Sequence, residues 1–320
     1  MRKSCLLLSV FLMSYLSCFA MGNKRTPKLF GRIVGNTSWV DHDTGEKFVI
    51  EKPWKDGHVF EGILSPDGKS FAIDYGVGPI EKTKRHELRI LDVQTKEETK
   101  IWENKYPFRY SWSPDSQFVI AAGIGNHFGY VIVHLKSEKI WKIDFKRSII
   151  NGYGNPRWSQ SGRKVIFIAE SNNPQRSNAL FEVDLNGMNF KSVVDLPPTT
   201  SQEVLSPNEK LIACSRPDDN LWIFDIETKK LTQVAKTRQF ESFPFWSPDS
   251  QWVGAQMTTN FQGPYDYYLW YLPTGKKRIL HIPYSTFTFQ WWTPLTEPPV
   301  DCVKIVEEML GEGLPLSELE

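Results

Sequence analysis

With six His in 320 residues, the sequence has few places where acid–base or metal chemistry could be assembled. An enzyme acting through a divalent cation needs several imidazoles and carboxylates converging on one point. The residues best spaced for this are His127, Asp219, Asp266 and His281, each from a separate polar stretch. Arg109, Asn126, Arg216 and Tyr265 stand in similar stretches, as do Asp218, Arg238 and Glu241. Such a mixture could grip a sugar, a peptide or a protein loop, and Tyr265-Asp266-Tyr267-Tyr268 with Phe261 is its most aromatic part. Aromatic side chains are favoured at the centres of interfaces.

Local catalytic patterns are incomplete. His86-Glu87-Leu88-Arg89-Ile90 begins like a zinc-protease helix but lacks the second His and leads into a strand. Gly123-Ile124-Gly125-Asn126-His127-Phe128-Gly129 has one residue too many for a dinucleotide loop, and no helix follows to receive a phosphate. No G-x-S-x-G elbow exists; Ser159-Gln160-Ser161-Gly162 is a turn. Asp41-His42-Asp43-Thr44-Gly45 reads as a hairpin turn rather than a calcium loop. Four Cys without a CxxC or a His/Cys cluster give no zinc site, so neither metal nor cofactor is expected.

The elements that would position these residues come from a repeat. A short strand, a Ser-Pro turn and a second strand recur at Ser65, Ser113, Ser159, Ser206, Ser247 and Thr293, with separations of 48, 46, 47, 41 and 46 residues. A period in the forties with strands in every unit is the mark of a repeat architecture. Pro presets φ at the first corner, Asp, Asn or Ser folds back on the backbone, and Gly tolerates the last corner. That chemistry explains Asp67, Asp115 and Asp249 as turn formers rather than as a ring of carboxylates. A later hairpin, as in Leu88–Asp92 and Leu221–Asp225, brings each unit to four strands. The first hairpin, around Ser38–Ile50, has no Ser-Pro turn before it, and Thr293-Pro294 has no hairpin after it. The expected fold is therefore all-β, a six-bladed β-propeller of four-stranded blades, closed by N-terminal strands joining the C-terminal blade. Val303, Val306 and Leu310, opened by Asp301 and closed by Gly311, predict a short C-terminal helix.

The phrase W-S-P-D-G/S followed by a polar residue and an apolar run resembles the propeller repeat of the TolB family, also found in prolyl oligopeptidases and oligogalacturonate lyases. Trp112, Trp158 and Trp246 match the family Trp; Leu64, Leu205, Gln160-Ser161 and Asn208-Glu209 depart from it. The resemblance covers the propeller only, and the α/β domain that precedes it in TolB is not expected here. It implies recognition loops entering the first strand or joining the second to the third: 75–87, 123–129, 170–179, 215–220 and 257–267, with entry loops 103–110, 144–156, 236–244 and 281–289.

Composition fits this reading. The chain is 40% hydrophobic and 13% aromatic, with a formal charge of +1 that falls to −1 without Arg2 and Lys3, and no basic stripe suggests nucleic acid. Arg2-Lys3, the apolar run Leu6–Leu16 and the small residues near Ala20 and Gly22 predict an export signal over 1–20, or to 22. A lipid anchor on Cys18 or an uncleaved N-terminal anchor is the alternative. The propeller is assigned to 29–300 and the helix and tail to 301–320. Cys214 and Cys302 are expected as buried thiols. The function expected is that of a monomeric, non-catalytic, periplasmic or secreted propeller that binds a protein or peptide partner in the cell envelope, with no transmembrane span after cleavage. A carbohydrate lyase resembling the oligogalacturonate lyases, or a sugar or peptide sensor, is the alternative.

Overall fold

The computed structural model describes residues 28–33, 36–41, 47–50, 57–79, 82–123, 129–144, 150–151, 155–171, 178–216, 220–235, 240–258, 266–281, 286–292 and 300–318. The export signal over 1–20 lies outside them. The chain begins with β1 (Lys28–Ile33), β2 (Asn36–Asp41) and β3 (Lys47–Ile50). One blade is built from β4 (Gly57–Leu64), β5 (Ser70–Val77), β6 (Arg85–Asp92) and β7 (Glu98–Asn104). The next has β8 (Phe108–Trp112), β9 (Phe118–Gly123), β10 (Gly129–His134) and β11 (Lys139–Asp144). It is followed by β12 (Ile150–Asn151), β13 (Arg157–Trp158), β14 (Lys164–Ser171), β15 (Asn178–Asp184) and β16 (Lys191–Asp195). Then come β17 (Ser201–Leu205), β18 (Leu211–Ser215), β19 (Leu221–Asp225) and β20 (Leu231–Gln233). The last run is β21 (Phe240–Trp246), β22 (Trp252–Thr258), β23 (Asp266–Tyr271), β24 (Lys276–His281) and β25 (Thr286–Trp292). Neighbouring strands within each blade are antiparallel.

First strands of neighbouring blades approach one another, β8 to β13, β17 to β21 and β21 to β25, so they lie nearest the axis. Burial follows that geometry. The second strands are covered on both faces and read as nearly continuous apolar or small residues, as in Phe71-Ala72-Ile73 and Ile212-Ala213-Cys214. The outer β16 buries only Val194.

Each Ser-Pro turn is self-contained. The Ser hydroxyl donates to the residue two ahead and accepts the backbone N–H five ahead: Ser65 to Asp67 at 2.6 Å and from Ser70 at 3.0 Å. Ser113 does the same with Asp115 and Phe118, and Ser206 with Asn208 and Leu211. The last corner is left-handed at Gly68, Ser116, Gly162, Glu209 and Ser250. That corner also joins blades: Ser116 Oγ accepts from Asp67 N at 3.0 Å, and Ser250 Oγ from Asn208 N at 2.9 Å. Two motif Trp reach the preceding blade, Trp112 Nε1 donating to Ile63 O and Trp246 Nε1 to Val204 O, both at 2.9 Å, whereas Trp158 Nε1 donates to Gly162 O of its own turn at 2.8 Å. The turn carboxylates are thus engaged within their own turns, each accepting from the Ser hydroxyl and from the backbone N–H two residues ahead.

One expectation needs correction: among the described residues five blades, not six, are four-stranded. The sheets led by β4, β17 and β21 have four strands, as does β25-β1-β2-β3. In a fifth, β12 and β13 both pair with β14, so they share one strand position. The β8–β11 sheet departs from the pattern, because β26 (Leu314–Pro315) adds a fifth strand to the outer edge of β11. The physical reason is that an outer strand presents unpaired backbone groups, and the chain's own tail satisfies some of them here. β1 pairs with β25 from Lys28↔Trp292 to Ile33↔Thr286, which ties the two ends of the strand order into one sheet. Among the described residues there is one α-helix, α1 (Cys302–Leu310), which is capped by Asp301, accepting from Lys304 N at 3.0 Å, and ends at Gly311. Its buried Cys302, Ile305 and Val306 pack against Trp158 and Gly162, and Cys302 N donates to Asp115 Oδ2 at 2.8 Å. Cys214 and Cys302 are buried free thiols, each pushed up to about 12 chiefly by burial.

Candidate functional site

The structure has two kinds of buried polar group. Ser65, Ser113, Ser159, Ser206 and Ser247 recur once per turn and belong to the scaffold. Asp74, His86, Glu87, Ser215, Asn220, Glu241 and Gln256 do not recur. They lie toward the opposite end of the blades, where first strands begin and second strands end. They are not part of the repeat, so that end is where individual function should be sought.

The densest arrangement spans the β17–β20 and β21–β24 blades. Both first strands carry a β-bulge, between Ser201 and Val204 and between Ser242 and Phe245. Gln202 and Phe243 sit in these bulges with left-handed backbones, φ 54° and 51°. For a bulky aromatic this conformation is an outlier that neighbouring contacts must hold. Phe243 N donates to Gln202 Oε1 at 2.7 Å, and Ser215 Oγ donates to Glu241 O at 3.0 Å. Glu241, only 1% exposed, accepts from Leu221 N at 2.9 Å through Oε2, fixing the start of β19 to β21. The outcome is a Phe243 side chain left 46% exposed among otherwise buried Phe245 and Trp246. Bulges re-aim side chains in this way. On the β17–β20 blade the Arg216 guanidinium lies 5.3 Å from the Trp222 ring centroid, with Nη2 3.4 Å from Thr199 Oγ1.

A second cluster lies on the β4–β7 blade. His86 Nδ1 is 3.0 Å from Asp74 Oδ1, and Asp74 Oδ2 accepts from Phe108 N of the next blade at 3.3 Å. Phe60 lies between the His86 and His58 rings. Next to it Glu87 accepts from Arg85 Nε at 3.0 Å and Arg89 Nε at 2.8 Å. Burial alone would raise the Glu87 pKa, but the two arginines outweigh it and hold the carboxyl below its ordinary value. These groups bind blade to blade and strand to strand.

The residues singled out from sequence fall in several places. Arg109 is exposed on β8 between buried Phe108 and Tyr110. Arg216 joins the bulge cluster. Asp266 and His281 are register partners on β23 and β24, the third and fourth strands of one blade, away from first-strand β8. Asn126, His127, Asp219 and Tyr265, with Asp218 and Arg238, lie outside the described residues. Among the described residues no group of three or more His, Cys, Asp or Glu could hold a metal ion, and no helix is long and apolar enough to cross a membrane. Sequence reasoning missed Phe243 and Gln202. The signal was present in Phe240-Glu241-Ser242-Phe243-Pro244-Phe245-Trp246, where strict alternation fails by one residue.

No family model matches the chain, and no curated protein sequence matches it. Solved structures do. TolB from Acinetobacter baumannii is similar over 88% of this chain and 71% of its own, at 17% identity and a TM-score of 0.65. A putative TolB from Agrobacterium tumefaciens covers 83% of this chain and 91% of its own, at 13% identity and a TM-score of 0.57. An oligogalacturonate lyase in complex with manganese covers 81% and 74%, at 15% identity and a TM-score of 0.54. The likeness is one of fold. The shared fold is the β-propeller, and the first-strand bulge itself recurs in the β4–β7 blade between Val59 and Glu61. On that propeller, the chemistry on offer at the bulges is an exposed aromatic ring, an arginine stacked near an indole and a set of oriented backbone groups.

Proposed function

We propose that this chain is an exported, non-catalytic propeller that docks a protein or peptide partner in the cell envelope through its loop end. The observation carrying this reading is Phe243: a strained, bulged residue whose ring is held in solvent by a hydrogen bond from its own backbone to the neighbouring blade. Strain of that kind persists only where surroundings enforce it, and it gathers at binding sites. Exposed Tyr106 in an entry loop and Arg216 beside Trp222 supply the aromatic and arginine composition that partner surfaces prefer. The predicted export signal and the fold shared with TolB support an envelope setting. A lyase would require His127, Asp219, Asp266 and His281 in one cavity, and the register pair Asp266–His281 belongs to the outer half of its blade.

An array of envelope-protein peptides probed with the purified chain tests this. Phe243→Ala should weaken the peptides bound by about thirtyfold, the ~2 kcal/mol of a hot-spot aromatic, and Arg216→Ala should weaken them as well. Lys100→Ala, on an outer strand, should leave them unchanged. Binding indifferent to Phe243, or cleavage of oligogalacturonate by the chain with manganese, would overturn the proposal.

A further inference from the structure

The tail that follows α1 is an incomplete occupant of the edge it covers. β26 pairs with only two residues of six-residue β11, Lys139↔Pro315 and Ile140↔Leu314, and Leu316 N adds a bond to Glu138 O at 2.7 Å. Trp141 Nε1 donates to Gly311 O at 3.1 Å and Leu316 packs on the core, while two further ties are exposed: Lys139 Nζ to Glu312 at 3.4 Å and Lys142 Nζ to Glu318 O at 2.8 Å. Leu314 stays 45% exposed. Beneath the tail, between α1 and the β10–β11 hairpin, is a cavity of about 460 Å³ with Phe118, His134, Trp141, Val306 and Glu307 in its walls. His134 Nδ1 is 2.6 Å from Ser137 Oγ, while its buried Nε2 has no hydrogen-bond partner. This space is a cleft open to solvent on one side, and a well-matched strand would cover it and leave no orphaned nitrogen.

We propose that the outer edge of β11 is a strand-addition site for another protein, which the chain's own residues 311–318 cover until displaced. The chemistry of the invading segment can be read from the present occupant. Lys136, Lys139 and Lys142 outnumber Glu138 and Asp144 along the edge, and the tail carries Glu312 and Glu318, so an acidic extended segment is favoured. A small residue must face Trp141, because a Cβ on Gly313 would lie 2.7 Å from the indole and 3.0 Å from Ile140 O. Apolar residues two apart would follow Leu314 and Leu316. The tail is tethered and so enjoys an effective concentration in the range of ~mM. The tail of a second copy brings nothing that the tethered one lacks. A foreign segment prevails by filling the cleft and bonding His134 Nε2. This site is separate from the bulged loop end and does not depend on the function proposed there.

The full chain carrying Gly313→Ala, which forces the tail off Trp141, is tested with a labelled peptide copying residues 311–320. The variant should bind it at least tenfold more tightly than the unaltered chain does, with new hydrogen-exchange protection of the β11 amides and no binding of a scrambled peptide. Leu314→Asp, which loosens the tail without crowding Trp141, should behave alike and serves if the first variant does not fold. Equal binding by variant and unaltered chain, or of both peptides, overturns the proposal. Reversible dimers of the unaltered chain with exchanged tails would assign the edge to a second copy and overturn it too.

Discussion

Glu87 shows how a non-repeated residue can be structural. Its carboxylate is 2% exposed and gathers Arg85 and Arg89, and Arg89 in turn lies 3.9 Å from the Tyr75 ring centroid and bonds Glu98 at 2.9 Å. Because the arginines overcome burial and keep its pKa below 4.5, the folded state binds fewer protons here than the unfolded one. The stability this provides is complete above pH 4.5 and is lost as pH falls through the lower folded value. Glu87→Gln should cost about 2 kcal/mol at pH 7, since it weakens bonds between charged partners. Urea titrations should also show a shallower loss of stability between about pH 5 and 3 than in the unaltered chain. Identical acid profiles would mean that Glu87 does not anchor the blade.

At the scale of elements, the contact that ties α1 to the propeller runs through a turn. Gly162 has φ +73°, and a Cβ there would lie 2.9 Å from Ile305 and 3.2 Å from Cys302 Sγ. Gly162→Ala therefore strains the turn and pushes the helix away at once. The expected cost is about 1–3 kcal/mol, and hydrogen exchange should quicken in α1 before it does in β14. If α1 keeps its protection while β14 loses it, the helix is docked by other contacts. Gly suits this left-handed corner in any turn, as at Gly68, and at Gly162 the overlying helix also leaves no room for a Cβ.

The whole molecule depends on its ends meeting. β1 and β25 come from opposite ends of the strand order and pair antiparallel, so the last blade is held together without a covalent link. A Pro within that pairing removes a donor and clashes in the ladder. Leu29→Pro should lower global stability by about 3 kcal/mol, seen as one cooperative urea transition at lower midpoint. A separate early transition confined to the first strands would show instead that the ring does not unfold as a unit.

The repeat, the turn chemistry, the four-strand unit and the caps of α1 were legible because each is written in local residue types: Pro and Ser at corners, alternating apolar residues, Asp301 and Gly311 at helix ends. The spacing also pointed to the end-to-end pairing, since an unmatched hairpin and an unmatched turn need each other. The fifth strand was not legible, for Leu314-Pro315 is too short to show a period and pairs only because a blade edge lies within reach. Nor was the loop end. Asp74 meets Phe108 N across 34 residues, Gln202 meets Phe243 N across 41, and neither pairing leaves a mark in its own neighbourhood. Local sequence specifies what a segment becomes by itself, whereas a bulge that turns a ring into solvent is stable only when the adjacent blade is present to hold it.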